Sequence, residues 1–328
     1  MLRIRQFLAM AGLTATEAIR QPICLLLTTA CVVLTALVPM VAMHNFGEDG
    51  KMARDSGLAF HLLFGLFVAG YAACSSLAAE MKSGTASAVL SKPVSREVFF
   101  LAKFVGVAAV VAAFSACATV ATLLGERVAE KFVLTPDLAG YATDWQTGTL
   151  LILSPLAAFL VAGWINYATR RPFGSTAFGL MLVGLLLVAL VAGCFDRTGQ
   201  YAPFNLDVQW RLAPASLLVT LALIVLSSIA MTLSTRLGTV PTLTLASAVL
   251  VAGLMSDYLL GRRASSSAIA NVLYRIIPNW QHFWLSDALS NNGTIPWVYV
   301  ADAAFYAAAY SAGILILGLV SFRHAEMK

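Results

Sequence analysis

Eight stretches without Asp, Glu, Lys or Arg, each at least 20 residues long, set the strongest limit on how this chain folds. A helix of about 20 apolar residues crosses the roughly 30 Å hydrocarbon core of a bilayer. The stretches are 21–47, 56–79, 104–125, 145–169, 172–195, 212–235, 237–256 and 303–322. Their Leu, Ala, Val and Ile content indicates helices rather than the alternating strands of an outer-membrane barrel. We therefore predict an all-α integral membrane protein, a polytopic bundle of about eight transmembrane helices.

The composition supports membrane insertion and excludes an ordinary soluble domain. Hydrophobic residues make up 59% of the 328 residues and charged residues 11%, whereas a soluble domain has about 25% charged residues. The mean hydropathy is +0.82. The formal net charge of +5 reflects Lys and Arg near the ends of the apolar stretches, which suits the anionic lipids of a cytoplasmic leaflet. We expect membrane lipid as a partner and no nucleic acid.

The placement of Lys and Arg predicts the orientation in the membrane, because these residues favour cytoplasmic loops. With the N-terminus inside, the denser basic set is cytoplasmic. That set is Arg3, Arg5, Arg20, Lys82, Lys92, Arg96, Lys103, Arg170, Arg171, Arg236, Arg323 and Lys328. We predict a multi-pass protein of a bacterial cytoplasmic (inner) membrane with both termini in the cytoplasm. The pair Arg262-Arg263, just beyond the seventh stretch, is the main objection.

Residues 1–20 have the pattern of an amphipathic helix. Apolar residues recur at helical spacing while charged and polar ones fall on the other side, which is typical of a helix lying in the membrane interface. The apolar set is Ile4, Phe7, Leu8, Ala11, Ala15 and Ile19, and the polar set is Arg3, Gln6, Glu17 and Arg20. The alternative is a frayed cytoplasmic lead-in to the first span.

A polar stretch with two chain breakers separates the second and third apolar stretches. Gly84 tolerates the backbone angles that end a helix, and Thr85 can cap the next one, so a short helix is predicted over 86–90. Pro93 disfavours helical geometry in the residue before it and ends this short helix. Ser95 can then cap the third transmembrane helix. The segment is therefore predicted to protrude from the membrane surface between two helix ends.

The residues of this stretch resemble the E-x3-GT-x4-L-x2-PVSR-x6-K signature of ABC-2 type transporter permeases. The matching residues are Glu80, Gly84, Thr85, Leu90, Pro93, Val94, Ser95, Arg96 and Lys103. The branch to which the chain is most similar includes the permease of the nitrous oxide reductase maturation system. Residues 226–238, 253–257, 277–281 and 322–323 resemble later parts of the family more weakly.

The resemblance implies a permease subunit of an ATP-binding cassette transporter. Residues 80–98, here called the coupling segment, are then the cytoplasmic piece that docks on a separate ABC ATPase. ATP and Mg²⁺ belong to that ATPase, and this chain carries no cofactor and no catalytic residue. A second permease copy is implied, with a homodimer as the simpler assumption. The substrate is unidentified and export is the expected direction.

The resemblance also bears on the number of spans. The family usually has six helices, so residues 145–195 are expected to contain a hairpin added to a six-helix core. Residues 1–328 are expected to form a single transmembrane permease domain, with 257–302 as the longest outer loop and an interfacial helix over about 268–277. The loop 126–144 has room for a short helix on the outer face.

A local alternative exists for the coupling segment. A polar loop with Gly, Pro and Arg between two spans is most often only a turn with inside-positive charges. Glu80 can equally form a salt bridge with Arg96 or Lys103 that holds the two helix ends together. Such a contact contributes about 1 kcal/mol when it is exposed. The ordered spacing of the signature favours the docking interpretation.

Two other function classes compete with an ATP-driven permease. An ion-coupled secondary transporter or channel generally places ionisable residues at mid-membrane, and no Asp, Glu, Lys or Arg lies near the centre of a predicted span.

A membrane-embedded enzyme needs a nucleophile with a base, or a metal cluster. The histidines have no carboxylate or cysteine at ligand spacing and the cysteines form no CxxC pair, so no metal site is predicted. No GxxxxGK[ST] pattern occurs in the sequence, so ATP hydrolysis of that type is expected on another polypeptide.

Overall fold

The computed structural model describes residues 2–41, 49–83, 95–135, 138–262 and 267–324. Helices dominate these ranges. The α-helices are α1 Leu2–Arg20, α2 Pro22–Val41, α3 Lys51–Ser83, α4 Arg96–Val128, α5 Trp145–Thr169, α6 Phe173–Ala192, α7 Leu212–Leu233, α8 Thr239–Leu254, α9 Ala268–Ile276 and α10 Trp297–Arg323. Seven helices within these ranges are long and apolar enough to cross a membrane, namely α2 to α7 and α10. The predicted all-α polytopic membrane protein is confirmed.

Helix α8 falls short of the other spans. It has 16 residues, whereas about 20 are needed to cross the hydrocarbon core. It contains Pro241 and Thr242 in its first turn and is followed by a π-helical turn over Asp257–Gly261. The count of eight transmembrane helices therefore stays a prediction.

The bundle has two ends, which α4 defines. We call the end at which α4 begins the near end, and the end at which α4 finishes the far end. Helices α7 and α10 finish at the near end, because Arg236 after α7 and Arg96 at the start of α4 both hydrogen-bond the last turn of α10. Helices α5 and α7 begin at the far end, where Arg127 contacts the residues that precede each of them.

Helices α3, α4 and α7 form the centre of the bundle. Helix α3 packs mainly on α4 and α7, and α7 also packs along α10. In its most apolar window, α7 has 67% of its residues buried, whereas α5 and α6 have 33%. Helices α5 and α6 pack chiefly against each other. Their place at the periphery fits a hairpin added to a core.

The described residues of the loop 126–144 do not form the short helix for which the sequence left room. It forms an antiparallel hairpin of β1 Lys131–Thr135 and β2 Leu138–Ala142. Aromatic and β-branched residues favour strands, and Phe132 lies opposite Tyr141 with its ring edge-on at 5.6 Å. Cross-strand aromatic pairs of this kind stabilise a hairpin. This stabilisation explains why these residues form strands and not a helix.

The long loop between α8 and α10 contains a short helix where the sequence predicted one, and its placement in the membrane interface stays a prediction. The expected helix over 268–277 is confirmed as α9, and two 3₁₀ turns follow it. The Tyr310 hydroxyl donates to the Ile276 carbonyl at 2.7 Å, and Trp280 is buried with its indole N–H bonded to the Val249 carbonyl at 3.2 Å. Because Tyr310 lies halfway along α10, the loop packs against the side of that helix and does not only cover its end.

The N-terminal helix packs on the first half of α4. The predicted helix over residues 1–20 is observed as α1, whose buried residues include Ala11, Thr14 and Ala18, while Ile4 and Leu8 are exposed. Gly106 makes the close approach possible, since a methyl group there would lie 2.6 Å from the Ala11 carbonyl oxygen. Placement of α1 in the membrane interface stays a prediction.

Substitution of Gly106 by Ala tests the contact between α1 and α4. We expect a loss of about 1–3 kcal/mol in unfolding free energy, because the methyl group meets a backbone oxygen and overpacks the contact. Thermal unfolding of the purified protein in detergent measures it. The matched control is Gly163→Ala on α5, where no atom lies within 4 Å of the added methyl and a gain of about 0.5–1 kcal/mol is expected from helix propensity. Equal effects at the two glycines would contradict the contact.

Candidate functional site

The structure describes only part of the coupling segment. Ser95, Arg96 and Lys103 lie within the described residues, and Glu80 lies within α3, although its side chain is outside the described part. The other predicted site residues lie outside the described residues, namely Gly84, Thr85, Leu90, Pro93 and Val94. The short helix over 86–90 therefore stays a prediction. The described part of the coupling segment beyond α3 is its end, where the chain enters α4.

Ser95 caps the start of α4, as the sequence predicted. Its backbone is extended, and its hydroxyl oxygen accepts a hydrogen bond from the Val98 backbone N–H at 3.3 Å. Such a cap satisfies one of the free N–H groups of the first turn, and loss of it costs about 1 kcal/mol. Glu97 lies in the same turn, where a negative charge interacts favourably with the helix dipole. The exit of the coupling segment is thus a fixed point on the bundle.

Arg96, Glu97 and Arg323 connect this point to the last helix, and we call them the terminal clamp. Arg96 Nη1 donates to the Arg323 carbonyl oxygen at 2.8 Å. In the opposite direction, Arg323 Nη2 forms an ion pair with Glu97 Oε1 at 2.6 Å. The exchange is reciprocal, so the first turn of α4 and the last turn of α10 are held at two points. Sequence reasoning identified Arg96 but not its partner 227 positions away.

An aromatic layer lies directly beneath the terminal clamp. The rings of Phe99 and Phe322 are stacked with centroids 6.0 Å apart, and Phe100 meets Phe322 at 5.7 Å. All three side chains are buried. Because buried aromatic pairs add about 0.5–1.5 kcal/mol beyond their burial, this layer fixes α10 against α4 more strongly than the exposed clamp does.

Lys103, the last residue of the signature, is not on the surface. Its residue is only 4% exposed, and its ammonium lies 5.6 Å from the centre of the Phe99 ring. A lysine in this position stabilises the helix contact from within and does not present its charge to a partner protein. Of the described signature residues, Ser95 and Arg96 are the exposed ones.

Helix α7 joins the same end of the bundle. Arg236 Nε donates to the Ser321 hydroxyl and Nη2 to the Ser321 carbonyl, each at 3.1 Å. The Thr235 hydroxyl lies 2.9 Å from the same Ser321 hydroxyl. Arginine at the end of a helix satisfies free carbonyls and complements the negative end of its dipole. The ends of α7 and α10 and the start of α4 therefore form one connected unit.

The family model described as ABC-2 family transporter protein matches residues 20–183, half of the chain. The chain belongs to the ABC-2 transporter family. Comparison with curated protein sequences gives no significant match. The matched stretch runs from the α1–α2 junction into α6 and contains the coupling segment, whereas α7 to α10 lie beyond it.

Family membership confirms the transporter class that the signature indicated. This ABC-2 protein is a multi-pass membrane protein, and proteins of its family are membrane components of transport systems. The finer likeness to the nitrous oxide reductase maturation branch stays a prediction. So does the predicted salt bridge from Glu80 to Arg96 or Lys103, because the Glu80 side chain is outside the described part.

The far end of this ABC-2 protein carries a second polar cluster, which sequence reasoning missed. Arg127 is 1% exposed, and its Nε forms an ion pair with Asp144 Oδ2 at 3.0 Å. The same guanidinium donates to the carbonyl oxygens of Phe195 and Leu206, both at 2.7 Å, and of Asn205 at 3.3 Å. A buried charge persists only when it is paired and hydrogen-bonded. Arg127 thus fastens α4, α5 and the loop before α7 together.

Asp144 completes this far-end network by capping α5. Its Oδ1 accepts the Thr147 backbone N–H at 2.9 Å and its Oδ2 accepts the Thr147 hydroxyl at 2.6 Å. The Asp-x-x-Thr spacing was visible in the sequence as a cap signal. Its ion pair with Arg127 was not, because the partner lies across a β-hairpin.

His61 is an ionisable side chain inside a span. It lies within α3, is fully buried, and its Nε2 is 2.9 Å from the Ser115 hydroxyl on α4. The Phe114 ring packs edge-on at 5.8 Å. The sequence prediction of uncharged span centres rested on Asp, Glu, Lys and Arg alone, so His61 was not predicted. Within the described ranges, no three or more His, Cys, Asp and Glu residues are grouped closely enough to hold a metal ion.

Proposed function

We propose that this chain is the membrane-embedded permease subunit of an ABC transporter and that a separate cytoplasmic ATPase drives it. Residues 1–328 form its single permease domain, and it exports a substrate that is not identified. The observation that carries the proposal is the position of Ser95 and Arg96. These signature residues of an ABC-2 family member lie at the start of a central helix, at the end of the bundle where three helices are joined.

The proposed route of force starts at the coupling segment. Residues 84–94 connect α3 directly to α4 along the chain, and both helices belong to the buried centre. A push on the segment therefore acts first on the two helices that pack most closely on each other and on α7. Rigid packed elements move as bodies rather than deform, so the movement reaches the spans.

The terminal clamp provides a second route by which movement of the coupling segment reaches the bundle. Arg96 and Glu97 hold the end of α10, and Arg236 holds α10 from α7. A shift of the first turn of α4 is therefore passed to α10 and α7 without crossing the membrane interior. Arg96, the residue after the Ser95 cap, therefore links the docking segment mechanically to α10. This role extends the docking function that the sequence predicted.

The charges of the two ends support a cytoplasmic near end. The near end carries exposed arginines, including Arg20, Arg170 and Arg171, and basic residues favour the cytoplasmic side. At the far end, Arg127 is buried in its network, and Arg54 and Arg211 both donate to the Leu289 carbonyl. Arg54, Arg127 and Arg211 thus make structural contacts that explain their presence at the far end, whereas Arg262 is exposed there. Both termini are accordingly proposed to be cytoplasmic, in a bacterial inner membrane.

The remaining components are proposed from the resemblance to the family. ATP and Mg²⁺ are bound by the ATPase subunits, and this chain supplies neither catalytic residues nor a cofactor. Two copies of the chain, most simply a homodimer, pair with two ATPase subunits, since closed two-fold assemblies are the commonest oligomers.

One observation favours the alternative, an ion-coupled transporter or channel. An intramembrane ionisable residue is often functional, and His61 with Ser115 is such a site among the described spans. The two functions differ in energy source. Transport that continues without ATPase subunits and collapses when the proton gradient is dissipated would support the alternative.

The proposed function is tested by reconstitution. The full chain is purified, mixed in lipid with a P-loop ATPase encoded beside it, and assayed for stoichiometric binding and for ATP hydrolysis with and without candidate cargo classes. We expect a complex whose hydrolysis rate changes when the permease is present. Full transport activity of the chain alone would overturn the proposal.

A charge-reversal cycle tests the terminal clamp. We expect Glu97→Arg and Arg323→Glu each to reduce the response of the ATPase to the permease several-fold, and the double variant to restore it, because the ion pair is re-formed with opposite polarity. Unfolding temperatures should hardly change, since exposed pairs contribute about 0–1 kcal/mol. Losses that simply add in the double variant would show that the two charges act independently.

A further inference from the structure

We propose that a groove between α2, α5 and α6 at the near end binds one anionic phospholipid. One of its two acyl chains lies in the groove, and the phosphate lies against Arg20 at the mouth of the groove. The proposal does not depend on the ATPase or on the direction of transport, because it concerns a different surface from the coupling segment.

The groove has the size and the lining of a site for a hydrocarbon chain. Its volume is about 670 Å³, within the range of about 300–1,000 Å³ typical of small-molecule sites. Its main apolar walls are Leu26, Ala30 and Val33 of α2 with Phe159 and Phe173 of α5 and α6. The Thr29 hydroxyl in the wall donates to the Leu25 carbonyl, so it makes no demand on a bound chain.

Positive charge is concentrated where the groove opens. Arg20 ends α1, lines the groove and is exposed. The first turn of α6 lies against it, since a methyl group on Gly174 would be 2.9 Å from the Arg20 carbonyl oxygen. Arg170 and Arg171, both exposed, precede that turn by only a few residues. The three guanidinium groups form no ion pair with any residue that the structure describes.

An anionic lipid satisfies both features at once. Basic pockets between transmembrane helices at the cytoplasmic side are suited to lipid phosphate groups, and each Arg near the surface contributes about fivefold to affinity. A second copy of the chain laid in the groove would cover the apolar walls but leave the arginines without anions. Free phosphate would pair with the arginines and leave the groove empty. Glu17, one turn before Arg20, forms no ion pair with it among the described residues and so does not replace the ligand.

Native mass spectrometry of the delipidated full chain tests the site with two lipids that share acyl chains, phosphatidylglycerol and phosphatidylcholine. We expect phosphatidylglycerol to bind at least about tenfold more tightly. Arg20→Gln should weaken it about fivefold, and the triple variant with Arg170→Gln and Arg171→Gln should remove the preference. The matched control is Arg5→Gln, an exposed arginine of the same helix away from the groove, which should change neither affinity.

Filling the groove separates the roles of chain and headgroup. Ala30→Phe places an aromatic ring in the groove and should weaken binding of both lipids. Ala30 is half-buried on the groove wall, so the unfolding temperature of the variant is measured alongside, and an unchanged value shows that the ring fills the groove without disturbing the packing of α2. Equal affinity for the two lipids in the native chain would overturn the proposal. So would an equal loss in Arg5→Gln, displacement of the lipid by inorganic phosphate at matched concentration, or cross-linking that places a second copy over Ala30 in place of lipid.

Discussion

Deletion of residues 86–90 is expected to abolish binding of the ATPase while the membrane bundle stays folded. The deleted stretch is the short helix predicted between Gly84-Thr85 and Pro93, and it is the part of the coupling segment proposed to enter the ATPase. The contacts that hold α3 and α4 together lie along the helices themselves, so their packing does not need it. Affinity purification with the ATPase, followed by quantification of both subunits, measures the loss.

A length-matched variant controls for strain in the shortened loop. Replacing residues 86–90 by five Gly and Ser residues keeps the chain length and removes the side chains, so it should abolish binding equally. Arg96→Ala is a less direct probe, because its guanidinium holds the Arg323 carbonyl and its loss disturbs the terminal clamp as well. Stoichiometric ATPase binding by the deletion variant would refute the docking assignment.

Substitution of Arg127 by Met is expected to cost about 3–5 kcal/mol of unfolding free energy. Met keeps much of the side-chain volume, but Asp144 is left as a buried charge without its partner, and removing one member of a buried pair has a cost of this size. The carbonyl oxygens of Phe195, Asn205 and Leu206 also lose their donor. Denaturant unfolding in mixed micelles measures the change.

The contrast with Arg323 isolates burial as the cause. Arg323→Met also breaks an ion pair, but Arg323 is 53% exposed and Glu97 37% exposed, so a cost of about 0–1 kcal/mol is expected. In addition, Arg127→Met combined with Asp144→Asn should recover part of the loss, because the uncompensated charge is removed while the capping oxygen remains. Equal losses for Arg127→Met and Arg323→Met would rule out the far-end network as a source of stability.

Much of the fold followed from gaps between charges. The uncharged stretches located every long apolar helix of the described chain, because a bilayer tolerates few charges at its centre. The boundaries were less well predicted. The stretch 104–125 underlies α4, which begins at Arg96, eight residues earlier. The uncharged stretch starts only after Lys103, because this residue is charged. In the structure Lys103 is buried beside Phe99, and the spacing of charges alone does not reveal such burial.

The candidate site was predictable only in its local part. The cap at Ser95 depends on neighbours three residues away, so its pattern is visible in the sequence. The partners of Arg96, Arg127 and Arg236 lie 17 to 227 positions away, and several are backbone carbonyls, which leave no trace in residue types. The β-hairpin in the loop 126–144 was not predicted, because the sequence of this loop was interpreted as allowing a short helix.

The shared finish of α7 and α10 has a consequence for how the chain is threaded. Two helices that both run toward the same face need the polypeptide to travel back to the opposite face between them. That return falls to residues 239–296, where the 16-residue α8 is continued by a π-helical turn and Leu289 already lies beside Arg54. In the described part of this stretch the return is made by a short helix and helical turns and not by one long helix, and its status as an eighth transmembrane crossing stays a prediction.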